Sequence, residues 1–340
     1  MMILDSSFRA LFPSNGSFSV TELDSIFSRP YSSDLIAIRI YHSHPSHVLN
    51  TLEFLAKRSK KIILAINEPT HPEFVSLEKK IHSQFDNVIV FASAVTSYPS
   101  HVKTNINWFL GTTNFYSQCD WGINLLTKLE HRIERPKKFD CLLGSRRKSR
   151  DLIEKFYLES NNKDDFIFNY YQDNLQKGIW DFDTSSITHS VQSVKWDGST
   201  PSASQIIPVD IYNQTYYSIV AETTQFNEYS FFTEKVAKPL VSRRPFIAFA
   251  GVNYLANLRK LGFLTFDCIV DESYDQELNL EKRYAMAWQQ VECLLNQNPD
   301  NILQQCQDVI DHNANWFLQT DWNKDLKLAL NCDPIIRALI

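Results

Sequence analysis

Glycine is scarce in this chain: eight residues in 340, spread so widely that no phosphate-cradling glycine loop can form. Neither GxxxxGK[ST] nor GxGxxG occurs, which sets aside P-loop kinases and ATPases and the ordinary nicotinamide dehydrogenases. Cysteine is nearly as thin. The six thiols (119, 141, 268, 293, 306 and 332) form no CxxC pair. A zinc site or disulfide framework is therefore not expected, and a reducing, cytoplasmic compartment is. Positive charge is not in excess either: 34 Lys and Arg stand against 39 Asp and Glu, a net charge of -5. A dedicated nucleic-acid binder carries a basic stripe instead. No segment nears the ~20 consecutive apolar residues of a membrane span. The opening MMILDSSFRALF is too short and too polar for a signal peptide.

What is present suits packed cores. Hydrophobic residues make up 44% and aromatics 13% of the chain, and its length is comfortable for two domains. The most informative stretch is 217–275. An apolar run, Ser218-Ile219-Val220-Ala221, reads as a buried strand ending on a carboxylate, Glu222. After a polar loop, Thr233 is a plausible N-cap, Glu234 suits the positive end of a helix, and Val236, Ala237 and Leu240 form an apolar stripe. A second buried run over 245–250 breaks at Gly251, a short helix over 254–261 ends at Gly262, and a third strand is expected at 264–266. Strand, helix, strand, helix, strand is the grammar of a doubly wound α/β sheet, which binds ligands at the carboxyl ends of its strands.

Glu222, Glu234 and Lys235 would gather at that edge. A helix N-terminus there offers free N–H groups and partial positive charge to a phosphate, and Lys235 adds a full charge. A carboxylate on the same edge can hold ribose or sugar hydroxyls. The ligand chemistry implied is phosphate-bearing and hydroxyl-rich, as in a nucleotide sugar.

The first half repeats the theme. Strands over 35–41, 61–67 and 87–94 alternate with helices over 47–58 and 72–85. The loop after the first strand carries His42, His44 and His47. These suit a metal site, but a polar loop opening a helix is the preferred reading. The loop after the second strand carries Glu68 before Pro69. Charge and proline near Glu134-Arg135-Pro136 suggest a linker, placing domains at 1–135 and 136–318, with 319–340 packing back as a tail. The second half opens with a strand over 139–143. Arg146, Arg147, Lys148 and Arg150 then crowd ahead of a helix over 151–160. Cations between a strand and a helix N-terminus make a diphosphate site, although at least two of the four are expected simply to face solvent. Asp271, Glu272 and Asp275 are read as the start of a helix over 276–297, and a second helix is expected over 301–318.

The pattern Ala221-Glu222-Thr223-Thr224, a short loop, then Ser230-Phe231-Phe232-Thr233-Glu234-Lys235 and a Pro-Phe-Ile strand resembles the donor-binding half of GT-B glycosyltransferases. It is most similar to the α1,3-fucosyltransferase family, whose signature is Phe-Glu-Asn-Ser, a loop and Asp-Tyr-Val-Thr-Glu-Lys. The glutamates and Thr-Glu-Lys match; the asparagine and tyrosine do not. Phage- and virus-encoded proteins of unassigned function are similar over the same sixty or so residues. The resemblance implies an α/β fold of two Rossmann-like domains facing a cleft. It implies a GDP-sugar as donor, a glycan or other hydroxyl acceptor, inversion, and no metal or other cofactor. Donor binding falls to Arg150, with Arg147 as second choice, and to Glu222, Thr233, Glu234 and Lys235. An inverting transfer also needs one base at the acceptor hydroxyl. Through the resemblance that base is Glu68, unless Glu68 merely begins a turn. The alternative is a glycan- or nucleotide-binding protein without chemistry, or a viral structural protein on a co-opted fold. Oligomeric state is not legible.

Overall fold

The computed structural model describes residues 2–4, 18–20, 33–42, 45–104, 106–130, 134–144, 146–170 and 206–334. Outside these lie His44, Ser145, the aromatics Tyr171, Trp180 and Trp196, and the last six residues. The chain divides into two compact units. One is 1–107 together with 321–340, and the other is 108–320.

The first unit is a parallel sheet. Its strands are β1 (Met2–Leu4), β2 (Phe18–Val20), β3 (Ser33–His42), β4 (Ser59–Glu68), β5 (Val88–Ala92) and β7 (Lys103–Thr104), with the short β6 (Ala94–Thr96) following β5. The order is β2-β1-β3-β4-β5-β7, parallel throughout. Leu35 to Ile38 and Ile62 to Ile66 are almost wholly buried. Such near-continuous apolar runs mark a parallel strand covered on both faces. The crossovers are the helices Pro45–Ala56 and Phe74–Gln84. The expected βαβαβ run is therefore present, with boundaries within a few residues. The helix Lys324–Cys332 also belongs to this unit, and Lys61 pairs with Asp333 at 2.9 Å.

The second unit holds β8 (Lys137–Leu143), β9 (Phe166–Tyr170), β10 (Thr215–Ala221), β11 (Tyr229–Phe231) and β12 (Phe246–Phe249). Its main sheet runs β12-β10-β8-β9, again parallel. The order reverses at β8: the chain moves outward to β9, then returns to the other side of β8 for β10 and β12. Right-handed crossovers running in opposite directions place their helices on opposite faces. The helix Lys148–Glu159 pairs with Leu280–Leu295, and Glu234–Val241 with Gln307–Gln319. A reversal of this kind opens a crevice at the carboxyl ends of the two strands flanking it, here β8 and β10.

Several expectations change on folding. The unit boundary falls at 107/108 rather than 135/136 because the helix Asn107–Gln118 is committed to the second unit from its first turn. Phe109 is buried against Phe232, Phe263 and Phe317. The Tyr116 hydroxyl accepts from the Ile207 N–H at 2.8 Å. The expected linker is integral too, since the Arg135 guanidinium donates to the Thr215 carbonyl and Lys137 opens β8. No strand forms at 264–266. There the Leu264 N–H and carbonyl bond the Asn313 amide instead of a sheet neighbour. The last helical region is split at Cys306 into Pro299–Gln305 and Gln307–Gln319. Pro299 opens the first of these behind its Asn298 cap. No helix among the described residues is long and apolar enough to cross a membrane.

Candidate functional site

Six of the seven site residues named from sequence meet at the reversal point of the second unit. Glu222 directly follows β10 and is 1% exposed. Its carboxylate is fully engaged: Oε1 accepts from the Thr233 N–H (3.2 Å) and the Tyr254 hydroxyl (2.7 Å), and Oε2 from the Thr233 hydroxyl (2.7 Å) and the Thr223 N–H (3.3 Å). Burial raises its pKa, opposed by Lys235, Thr233 and Tyr254. Thr233 is the N-cap of Glu234–Val241, its hydroxyl oxygen accepting from the Lys235 N–H at 3.2 Å. Placing Glu222 against ligand hydroxyls is thus corrected: its lone pairs are spent on Thr223, Thr233 and Tyr254.

Lys235 Nζ lies 2.7 Å from Glu234 Oε1 and 3.2 Å from the Thr223 hydroxyl. Burial by itself would raise the Glu234 pKa. The ammonium groups of Lys235 and Lys238 outweigh it and bring the carboxyl below its usual range. Lys238 lies one helical turn beyond Glu234 and was not singled out from sequence. It is half-buried, and burial brings its ammonium down to about 8. The i, i+4 spacing from Glu234 was the available signal.

From the other strand, Arg147 and Arg150 approach the same point. The helix begins at Lys148 rather than 151, so Arg147 is its N-cap and Arg150 lies in its first turn. The Arg147 guanidinium donates to the Thr223 carbonyl at 3.1 Å, and its N–H donates to the Tyr170 hydroxyl at 3.1 Å. Arg150 is buried, its guanidinium close over Gly144, where a Cβ would stand 3.3 Å from a terminal nitrogen. Burial and the neighbouring Arg147 lower its pKa, while Tyr170, Glu222 and Glu234 act in the opposite sense. Cations in the first turn oppose the helix dipole. Such a breach of a local rule is expected where a site is built for an anion. Thr223 is the common point, bonded to Arg147 through its carbonyl and to Lys235 through its hydroxyl. The Arg146 and Lys148 side chains are solvent-exposed, Arg146 pairing with Asp151 at 3.2 Å.

No family model matches the chain, and no curated protein does. Among solved structures, alpha,alpha-trehalose 6-phosphate synthase from Burkholderia multivorans is similar at 12% identity, over 93% of this chain and 74% of that one, with a TM-score of 0.42. A likeness at that level carries no argument. The site stands on its own geometry.

Glu68 is the seventh residue and belongs to the first unit. It is the last residue of β4, in register with His42 of β3, half-buried, and its carbonyl accepts from the Thr70 N–H at 2.7 Å. It sits at the carboxyl edge of a parallel sheet, the position from which such sheets present functional groups. Of the three histidines, His47 is exposed in the helix Pro45–Ala56. Among the described residues no group of three His, Cys, Asp or Glu is placed to hold a metal.

The acidic run 271–275 does not open the long helix, which Asn279 caps. Asp271 caps the 3₁₀ turn Glu272–Gln276. Glu272 accepts from the Thr265 hydroxyl and the Phe266 N–H. Asp275 accepts from the Leu255 and Ala256 N–H groups, at 2.9 and 3.1 Å, capping the helix Tyr254–Lys260 from a distance of twenty residues.

Proposed function

We infer that this protein is a glycosyltransferase that takes a sugar from a nucleoside-diphosphate donor and passes it to a hydroxyl acceptor, with a GDP-sugar such as GDP-fucose as the donor and a glycan as the acceptor. One observation carries the reading. Arg147 and Lys235, from two different helix N-termini, meet at Thr223 at the carboxyl ends of β8 and β10, with the buried Arg150 beside Arg147. Preorganised cations at that point stabilise the charge that develops on a departing diphosphate, the largest contribution to such a transfer. On this reading Lys235 exchanges its bond to Glu234 for a phosphate oxygen, which leaves Glu234 to accept from ligand hydroxyls. The protein cations then do the work that a divalent ion does elsewhere. Glu68 is assigned as the base that removes the acceptor proton in a single inverting displacement.

The sequence resemblance to the α1,3-fucosyltransferases points to the same donor class. The changed residues of the signature, Thr223 and Phe231, keep open a binding protein without chemistry. The test is direct binding of GDP and GDP-fucose in the presence of chelator, followed by turnover on a panel of glycans. Glu68→Gln is expected to leave donor affinity within about threefold and to lower turnover by about 10²- to 10⁴-fold. No binding of any nucleoside diphosphate overturns the reading, and binding without turnover selects the non-catalytic alternative.

A further inference from the structure

Glu222, buried and fully bonded within the protein, poses a question: what keeps a carboxylate ionised and aimed at Thr233 when burial disfavours its charge? Among the described residues, the one side-chain donor to it from outside its own loop and the following helix start is Tyr254. That tyrosine is 2% exposed, its hydroxyl donates to Glu222 Oε1 at 2.7 Å, and its ring lies on Phe232 with centroids 4.7 Å apart. Its placement is over-determined. Asn253 adopts a left-handed φ of 60° and donates its N–H to the Asp275 carbonyl at 2.7 Å. The Asp275 carboxylate accepts from the N–H groups of Leu255 and Ala256, the two residues after Tyr254. At Gly251 a Cβ would stand 2.1 Å from the Phe226 carbonyl oxygen, so the 222–231 loop lies directly on this backbone. Positive φ at a non-glycine residue is tolerated where the surroundings enforce it, and such positions cluster at functional sites.

We propose that Tyr254 is a positioning residue of the anion site: its hydroxyl holds Glu222 in the orientation that fixes Thr233, and through the Thr233 cap it sets where Lys235 is presented. This rests on the donor-site reading above. The groups facing Glu222 are Lys235 and Glu234 from one helix, Tyr254 from a second, Arg150 from a third and Tyr284 from a fourth. Tyr254 stays protonated, since burial and the neighbouring Glu222 raise its pKa well above the ordinary value. It is a donor at every pH of interest. Without that donor, burial of Glu222 goes less opposed, and its carboxyl takes up a proton at higher pH. A protonated Glu222 accepts more weakly from the Thr233 hydroxyl, and the cap loosens.

The experiment measures GDP-fucose affinity from about pH 5.5 to 7.5 for the wild type, Tyr254→Phe and the double variant Tyr254→Phe/Glu222→Gln. The diphosphate diester of the probe keeps its two charges over that range. The expected result is a Tyr254→Phe affinity already below wild type at the upper end, where the orienting bond alone is missing, with the gap widening as pH falls. Toward the lower end Tyr254→Phe should lose about tenfold more than wild type, the loss that follows when the ionised share of Glu222 falls about tenfold. In the double variant that extra acid limb should vanish, because glutamine does not titrate. A Tyr254→Phe profile that parallels wild type, whether at the same level or uniformly weaker, overturns the positioning role and leaves the donor reading standing. An acid limb that survives in the double variant also overturns it. Failure of the wild type to bind the probe at any pH overturns both.

Discussion

Removing the Lys235 ammonium tests the site most directly, and the structure allows the effect to be sized. The Thr233 cap is made to the backbone N–H of residue 235, so Lys235→Ala keeps the helix start and deletes the side-chain bonds to Glu234, Thr223 and the Thr233 hydroxyl. A hydrogen bond to a charged group is worth about 1.5–3 kcal/mol. At 1.4 kcal/mol per decade this is roughly a 10- to 150-fold loss of donor affinity. Two further effects act in the same direction. Glu234, 12% exposed at its side chain, loses its partner and keeps a negative charge beside the phosphate site. Of the two cations bonded to Thr223, Arg147 alone is left. Isothermal titration with GDP-fucose near pH 7, where Lys238 stays charged, reads the change in one experiment. A loss below about threefold, about 0.65 kcal/mol, would refute the assignment of Lys235 to the phosphate.

Other outcomes follow from buried charge in the same unit. Lys238 has a folded pKa of about 8, below that of an unfolded lysine, so the unfolded chain binds more protons between about pH 8 and 10. The penalty for keeping it charged is complete below about pH 8 and is relieved as pH rises through that window. Lys238→Met should therefore raise the melting temperature at pH 7, and the advantage should shrink above pH 8; a pH-independent difference contradicts this. Asp140 and Arg244 form a buried pair at 2.7 Å, joined by the Ser218 and Thr215 hydroxyls, with side chains 4% and 3% exposed. Asp140→Ala strands the guanidinium and should cost about 3–5 kcal/mol in denaturant unfolding, and a loss under about 1 kcal/mol would argue against it.

Much of the second unit was legible because its signals are local. The Thr233 cap, the amphipathic turn behind it and the cation run at the start of the helix Lys148–Glu159 are all patterns within a dozen residues. Their convergence followed from a general property of parallel sheets rather than from any pairwise contact. The illegible parts are long-range. Glu222 looked like a ligand group because nothing near it in the chain revealed that Tyr254, thirty-two residues on, occupies its carboxylate. Asp275 is a sound cap by composition, but the helix it caps precedes it.

The alternation of buried apolar runs with amphipathic segments, read directly from the chain, determined that this protein would be α/β with parallel sheets. That holds because β-strands covered on both faces and helices covered on one leave different periodicities in the sequence. Which residues became ligand-facing and which became bracing was decided only on folding. A carboxylate looks the same in sequence either way, and its role depends on whether donors from distant segments reach it before a ligand can. The unit boundary was decided in the same way, by Phe109 finding Phe232, Phe263 and Phe317 across more than a hundred residues.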